Sequence, residues 1–399
     1  MTQGEDFMMR RGLRAGAAVA TLLGVLLVRP APVQAQGLLD KFSIHGYLSQ
    51  AAGWTSDSLV LLGLQKQVTT DFRRVALQLR FAPSDKDEVI VQLRNRRLGV
   101  GQLPNVEGTV ALDWGFYRHD FGNVSVSAGR LPLARGIYNA IRDVGIIQPF
   151  YRAPYYVYTE SFEVIEGASV RGRWDVGHGW GVEAHAFGGE FPFLWQSAPT
   201  STDPTGVTST RGDKTLGGQL WIKTPIRGLR VGGHVMRYNI EDGSLFGAQS
   251  NEKGLSWLGS LDGNFDRYML RAEYMYFSLG DHPYADGRAF SYRSWYVQGG
   301  VKPTAKLGIY GQYNWANYYG FGPAFFPSWA HVTVPFARDA GVSVKYDATS
   351  NVSIKFEGHH NKGRNYESSL PPLLDPAQPN KAIDTFTQNY FIASVAVAF

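Results

Sequence analysis

Leu307-Gly308-Ile309-Tyr310-Gly311-Gln312-Tyr313-Asn314-Trp315 alternates with period two. Leu307, Ile309, Gly311, Tyr313 and Trp315 fall on one side, and Gly308, Tyr310, Gln312 and Asn314 on the other. Successive side chains of a strand point to opposite faces, so this stretch reads as a strand with one apolar face and one polar or small face. The pattern recurs. Val75, Leu77, Leu79 and Phe81 alternate with Ala76, Gln78, Arg80 and Ala82. Phe391, Ala393, Val395, Val397 and Phe399 alternate with Ile392, Ser394, Ala396 and Ala398.

Sixteen such segments are predicted, at approximately 42–54, 72–82, 88–96, 109–119, 123–130, 164–174, 180–189, 214–224, 229–238, 255–262, 267–277, 291–301, 307–316, 337–346, 352–361 and 384–399. Connections after even-numbered segments are short, as at 83–87, 120–122 and 347–351, whereas those after odd-numbered segments are longer and rich in Gly, Pro and polar residues. A sandwich has no reason to sort its turns by parity. A transmembrane antiparallel β-barrel does, with short periplasmic turns and long external loops. An unpaired N–H or C=O in hydrocarbon costs several kcal/mol, so segment one must pair with segment sixteen. Outward positions at the predicted periplasmic ends hold Phe81, Trp174, Trp180, Tyr268, Tyr346 and Phe399, and those at the opposite ends hold Trp54, Trp257, Tyr276, Trp295 and Trp315. Two aromatic girdles are what a barrel places at its two interfaces.

Composition agrees. The chain has 399 residues, 39 Lys+Arg against 34 Asp+Glu, 46 Gly, 10 Trp, 21 Tyr, 23 Phe and no Cys, and 18% of it is charged. It is too aromatic and too weakly charged for disorder. Gly and Tyr stand where a long-helix protein needs Ala, Glu and Lys. The lack of Cys excludes disulfides, thiolate zinc sites and cysteine nucleophiles. No basic run suggests nucleic acid.

Residues 1–35 read as a cleaved secretory signal peptide. Arg10, Arg11 and Arg14 precede the apolar stretch Ala15 to Val28, and small residues end at Ala35. That stretch is shorter than the roughly 20 residues a bilayer-crossing helix needs. Glu5 and Asp6 are unusual in such a leader, which points to Met8 or Met9 as the initiator. Removing the leader leaves a single barrel domain, 36–399, with a net charge of +3 in place of +5.

Over its whole mature length the chain resembles the sixteen-stranded bacterial outer-membrane porins. The resemblance rests on the leader, the alternating strands, the long third loop, and the terminal Asn389-Tyr390-Phe391-Ile392-Ala393-Ser394-Val395-Ala396-Val397-Ala398-Phe399. A last strand ending in Phe, here Phe399, is similar to the insertion signal read by the outer-membrane assembly machinery. Gly129-Arg130-Leu131-Pro132-Leu133-Ala134-Arg135-Gly136-Ile137-Tyr138-Asn139 is loosely similar to the strand-to-loop entry of phosphate-selective and related substrate-selective porins. The resemblance implies an all-β barrel in the outer membrane lipid, a homotrimer, no cofactor, and passive diffusion of small hydrophilic solutes.

It also implies that the third external connection, 131–163, folds inward as a constriction loop. Its composition suits that role, because Ile137, Tyr138, Ile141, Phe150, Tyr151, Tyr155, Tyr156 and Tyr158 are too apolar for a free surface loop. Arg135, Arg142 and Arg152 are placed to face the pore, with Asp143 and Glu160 opposite. Arg94, Arg96, Arg171 and Arg173 lie on flanking strands and complete the expected constriction cluster. By parity the inward wall offers eleven cations (Arg74, Arg80, Arg94, Arg96, Arg171, Arg173, Lys223, Arg230, Arg271, Lys345 and Lys355). Six carboxylates oppose them: Asp113, Glu183, Asp262, Glu273, Asp339 and Glu357. Low-dielectric walls focus such a field and enrich anions, so an anion preference is expected. The plainer alternative is that these arginines are paired structurally.

No P-loop, G-x-G-x-x-G, H-E-x-x-H or G-x-S-x-G pattern occurs, and adjacent His359 and His360 face opposite sides of a strand. No metal site or catalytic residue is therefore expected, and no enzyme. Two other classes stay open: a non-conducting barrel whose external loops bind a partner, and a barrel-embedded hydrolase.

Overall fold

The computed structural model describes residues 37, 40–100, 107–159, 162–196, 207–240, 252–279, 290–319, 333–365 and 384–399. The expected leader, 1–35, and Glu160 lie outside the described residues. The chain divides into Met1–Ser43 and Ile44–Phe399, and the closed sheet is carried by the second unit.

Sixteen strands follow one another: β1 Phe42–Thr55, β2 Thr69–Phe81, β3 Asp87–Leu98, β4 Glu107–Asp120, β5 Val124–Pro132, β6 Val164–Gly177, β7 Trp180–Gln196, β8 Val207–Lys223, β9 Leu229–Ile240, β10 Glu252–Asn264, β11 Tyr268–Leu279, β12 Phe290–Val301, β13 Leu307–Tyr319, β14 Thr333–Thr349, β15 Val352–Gly363 and β16 Phe386–Ala398. They form one closed ring in sequence order. β1 pairs antiparallel with β16, from Tyr47 opposite Ala398 to Thr55 opposite Tyr390. Phe399 extends this seam by exchanging two backbone hydrogen bonds with Gly46, at 2.8 and 3.0 Å. Every segment expected from alternation is a strand. The largest differences are at β7 and β8, whose hairpin runs on to Gln196 and Val207. There the ladder continues past register shifts at Gly189/Phe191 and Asp213/Leu216.

Alternation sorts the side chains as expected. Ile309, Val342, Val344, Phe356 and Val395 are exposed on the outer face, while Tyr310, Asn314, Ser343 and Ser394 are buried on the inner one. Girdle aromatics stack across strands: Trp54 on Phe391 at 5.3 Å, Trp257 on Tyr276 at 5.9 Å and Trp295 on Trp315 at 6.3 Å. Register shifts interrupt several ladders, and one in β3–β4 bears on the site. In the β3–β4 ladder Gln92 pairs with Trp114 and Leu93 with Leu112, leaving Asp113 as an extra bulged residue. A bulge of this kind turns two successive side chains to one face and reverses the parity beyond it. Asp113, Trp114 and Phe116 are accordingly buried, while Leu112 and Tyr117 are exposed.

The interior is not water alone. The largest apolar cluster joins Leu133, Ile137, Tyr138, Tyr156, Tyr158 and Phe162 of the 131–163 segment to Phe187, Trp221, Tyr238, Phe277, Tyr292 and Tyr296 of the wall. Loop and wall thus share one apolar cluster. Burying one such side chain stabilises by about 1.5–3 kcal/mol, so this segment is held as core.

Candidate functional site

The residues between β5 and β6 make two short 3-10 turns, Asn139–Ile141 and Gly145–Ile147. Their partners are wall residues of inward parity on many sides of the ring. His234 on β9 meets the Ala134 carbonyl at 2.7 Å, and Gln219 on β8 donates to the Gly136 carbonyl at 3.2 Å. Tyr292 on β12 donates to the Tyr156 carbonyl at 2.8 Å, and Ser343 on β14 to the Pro149 carbonyl at 2.7 Å. Lys355 on β15 donates to the carbonyls of Gly145 and Phe150, at 2.8 and 3.2 Å. Neighbouring Glu357 accepts the Tyr151 N–H. A Cβ on Gly145 would collide with Ser49 of β1.

Glu273 on β11 is a peg for this segment. It accepts hydrogen bonds from the Ile137 N–H at 3.0 Å, Ser260 at 2.6 Å, Tyr296 at 2.7 Å and the Tyr158 hydroxyl. The Tyr158 oxygen in turn accepts the N–H groups of Ile137 and Tyr138, at 2.7 and 3.0 Å. Gly136 is required at this junction, because its φ of +62 suits glycine and a Cβ there would meet Tyr158 and Glu273.

Opposite the peg is a buried charge cluster. Glu163 binds Arg94, Arg96 (2.6 Å) and Arg142. Arg96 also binds Asp143 at 3.0 Å, and Arg94 binds Asp113 at 3.1 Å. Arg74 donates to the carbonyls of Arg142 and Tyr151. Four guanidiniums thus share three carboxylates and two carbonyls, all well buried. Burial pushes the Glu163 carboxyl up, but Arg142, Arg96 and Arg94 outweigh it and hold it well below the usual carboxylate range.

The expected constriction residues therefore separate into three groups. Arg94, Arg96, Arg142 and Asp143 come together, and Glu163, absent from the sequence-based set, is their hub. Its signal was its place at the end of the loop, directly before β6. Arg135 does not face open water. It is buried, donates to the Val157 carbonyl at 2.6 Å and lies over the Tyr158 and Phe162 rings at 5.5 and 5.3 Å. Burial pushes its guanidinium down to about 10. Arg152 lies over Tyr155 at 4.5 Å. Tyr138, Phe150, Tyr151, Tyr156 and Tyr158 are buried against the wall. Tyr138, which receives a hydrogen bond from Arg271 at 2.9 Å, is pushed up to about 12 by burial.

Arg171 and Arg173 are not joined to this cluster. They bind Glu183 on β7, at 2.7 and 3.1 Å. Arg130, of outward parity, pairs instead with Glu166. Arg118 was missed. Unbroken alternation from Asp113 puts it outside, but the bulge turns it inward onto Glu88 at 2.6 Å.

No family model matches the chain, and no curated protein sequence does. Solved structures do. The outer membrane channel DcaP of Acinetobacter baumannii superposes with a TM-score of 0.55 at 11% identity, over 90% of this chain and 97% of that one. The outer membrane protein OmpT of Vibrio cholerae, in its trimer form, gives 0.52 at 11% identity, over 90% and 99%. An anion-selective porin from Comamonas acidovorans gives 0.52 at 10% identity, over 90% and 99%. At these identities the likeness is one of fold, and the chain has the fold of the sixteen-stranded outer-membrane porins.

Proposed function

We propose that the chain is a porin: a homotrimeric, non-enzymatic channel of the outer membrane through which small hydrophilic solutes diffuse, with a preference for anions. One observation carries it. The closed ring presents apolar side chains outward and polar and charged ones inward along the same strands. Such a wall separates hydrocarbon from water. The basic excess of inward parity supports the anion preference; Arg118, turned inward by the bulge, comes with Glu88 and leaves that excess unchanged. The trimer form of the Vibrio cholerae protein supports the homotrimer.

The bonds between the 133–163 segment and the wall support its role as the constriction. Their spread round the ring also favours a second reading, a barrel that the loop closes and whose external surface binds a partner. Planar-bilayer recording of the purified protein separates the two. A channel gives stepwise, ohmic conductance, whereas a folded barrel that stays silent over the tested voltages contradicts the channel reading.

A further inference from the structure

The charge cluster beside the loop is poorly built to choose between ions. Arg94 and Arg96 have side chains 7% and 4% exposed, and each sits on two carboxylates. A field matched at hydrogen-bond distance inside the wall is weak in the bore. The exposed guanidiniums lie elsewhere.

Arg80 of β2 and Arg118 of β4 share Glu88, each at 2.6 Å. Arg171 and Arg173 of β6 share Glu183, at 2.7 and 3.1 Å. Between the two groups runs β5, whose inward residues at this level are hydroxyls: Ser127, reached by Arg118 at 3.3 Å, and Ser125, paired with Arg171. Four guanidiniums thus share two carboxylates around a floor of small polar residues. They are open to solvent, at 50% for Arg80, 32% for Arg118, 31% for Arg171 and 61% for Arg173. A cavity of about 480 Å³ joins them, bounded by the short turns before β3 and β5. The rim adds three acids, Asp85, Asp87 and Asp120, against one cation, Lys86. Asp87 accepts from Ser84, Tyr117 and His119, Asp120 caps the Gly122 N–H, and Asp85 stands beside Lys86.

This group is separate from the loop cluster. The row Glu88–Arg118–Ser127–Ser169 runs straight across β3 to β6. Arg94 lies six residues from that row toward the long loops, and Arg171 two residues from it toward the short turns. Eight residues of strand span about 26 Å.

We infer that charge selection resides in this vestibule at the short-turn mouth, where Arg80, Arg118, Arg171 and Arg173 form a site for small oxyanions. Each of the two carboxylates serves two guanidiniums, so donors are left over on all four. Guanidinium forks with donors left over bind carboxylate or phosphate oxygens directionally. Arg94, Arg96 and Arg142 hold the loop instead of filtering.

The inference rests on the channel reading, and its test reads the ion preference of channels that conduct. Reversal potentials are recorded across salt gradients of KCl and of potassium phosphate. In Arg118→Gln/Arg171→Gln the anion-over-cation permeability ratio falls about twofold or more, and further in phosphate than in chloride. Arg173→Gln, the most exposed of the four, gives a smaller fall. Glu183→Gln, which frees two guanidiniums, raises the ratio. Conducting variants whose reversal potentials match the parent's would overturn the inference and leave the channel reading standing. A parent that never conducts would overturn both.

Discussion

Replacing Glu163 by Gln is expected to destabilise the folded barrel by about 3–5 kcal/mol, the cost of leaving buried charges without their counter-ion. Three guanidiniums converge on this carboxylate: Arg94 and Arg96 from β3, and Arg142 from the loop. Gln keeps the shape and removes the charge, leaving Asp113 and Asp143 to balance four arginines. The loop's hold on β3 is then weakened to the Asp143–Arg96 pair while its peg at Glu273 stays, so the variant also conducts with larger and noisier steps. Urea titration of the protein folded into phospholipid vesicles reads the stability, and single-channel traces read the loop. A variant as stable as the parent would mean that the cluster is a surface network of little energetic weight.

The pH dependence has a definite sign. Glu163 is depressed in the folded protein relative to its unfolded value of 4.5. Its contribution is therefore complete above pH 4.5 and is lost as the pH falls through the lower folded value. Glu163's own share of the stability gap between parent and variant stays constant from pH 7 to pH 5 and is lost only in stronger acid.

Val342→Arg is the second large effect, at about 2–4 kcal/mol for a cation on the outer face near the bilayer midplane. Val342 sits in the middle of β14, between Gly311 and Gly358 on the neighbouring strands, and is 65% exposed. No neighbouring side chain can shield a charge there. Val342→Leu, which keeps the surface apolar, folds like the parent. An equal yield of heat-modifiable barrel from Val342→Arg would place this face against water, not hydrocarbon.

What the sequence revealed and what it hid have one physical source. Period two assigns each side chain to a face without reference to any partner, so Ile309 and Tyr310 could be sorted by reading β13 alone. The height of a side chain in the barrel depends on register between strands, which alternation does not encode. Arg171 and Arg94 share a face, yet register sets them about 26 Å apart along the strand direction, so one assumed cluster became two. A single inserted residue also defeats parity: the bulge at Asp113 turned Arg118 inward. The loop was legible in composition, since its aromatics announced burial. Which of its charges were buried with them was not, and Arg135 ended among rings instead of in the bore.

Because the chain has no native Cys, single cysteines can be placed on adjacent residues of one strand without a background. Ser125→Cys and Val126→Cys test the division between the two faces most directly, since Ser125 faces the vestibule and Val126 faces outward. In vesicles, an anionic, membrane-impermeant thiol reagent should modify the Ser125→Cys variant at a rate severalfold above the Val126→Cys variant. Brominated lipid chains should quench a fluorescent probe attached in the Val126→Cys variant and not one attached in the Ser125→Cys variant. Equal reaction and equal quenching in the two variants would contradict a wall with water on one side and hydrocarbon on the other.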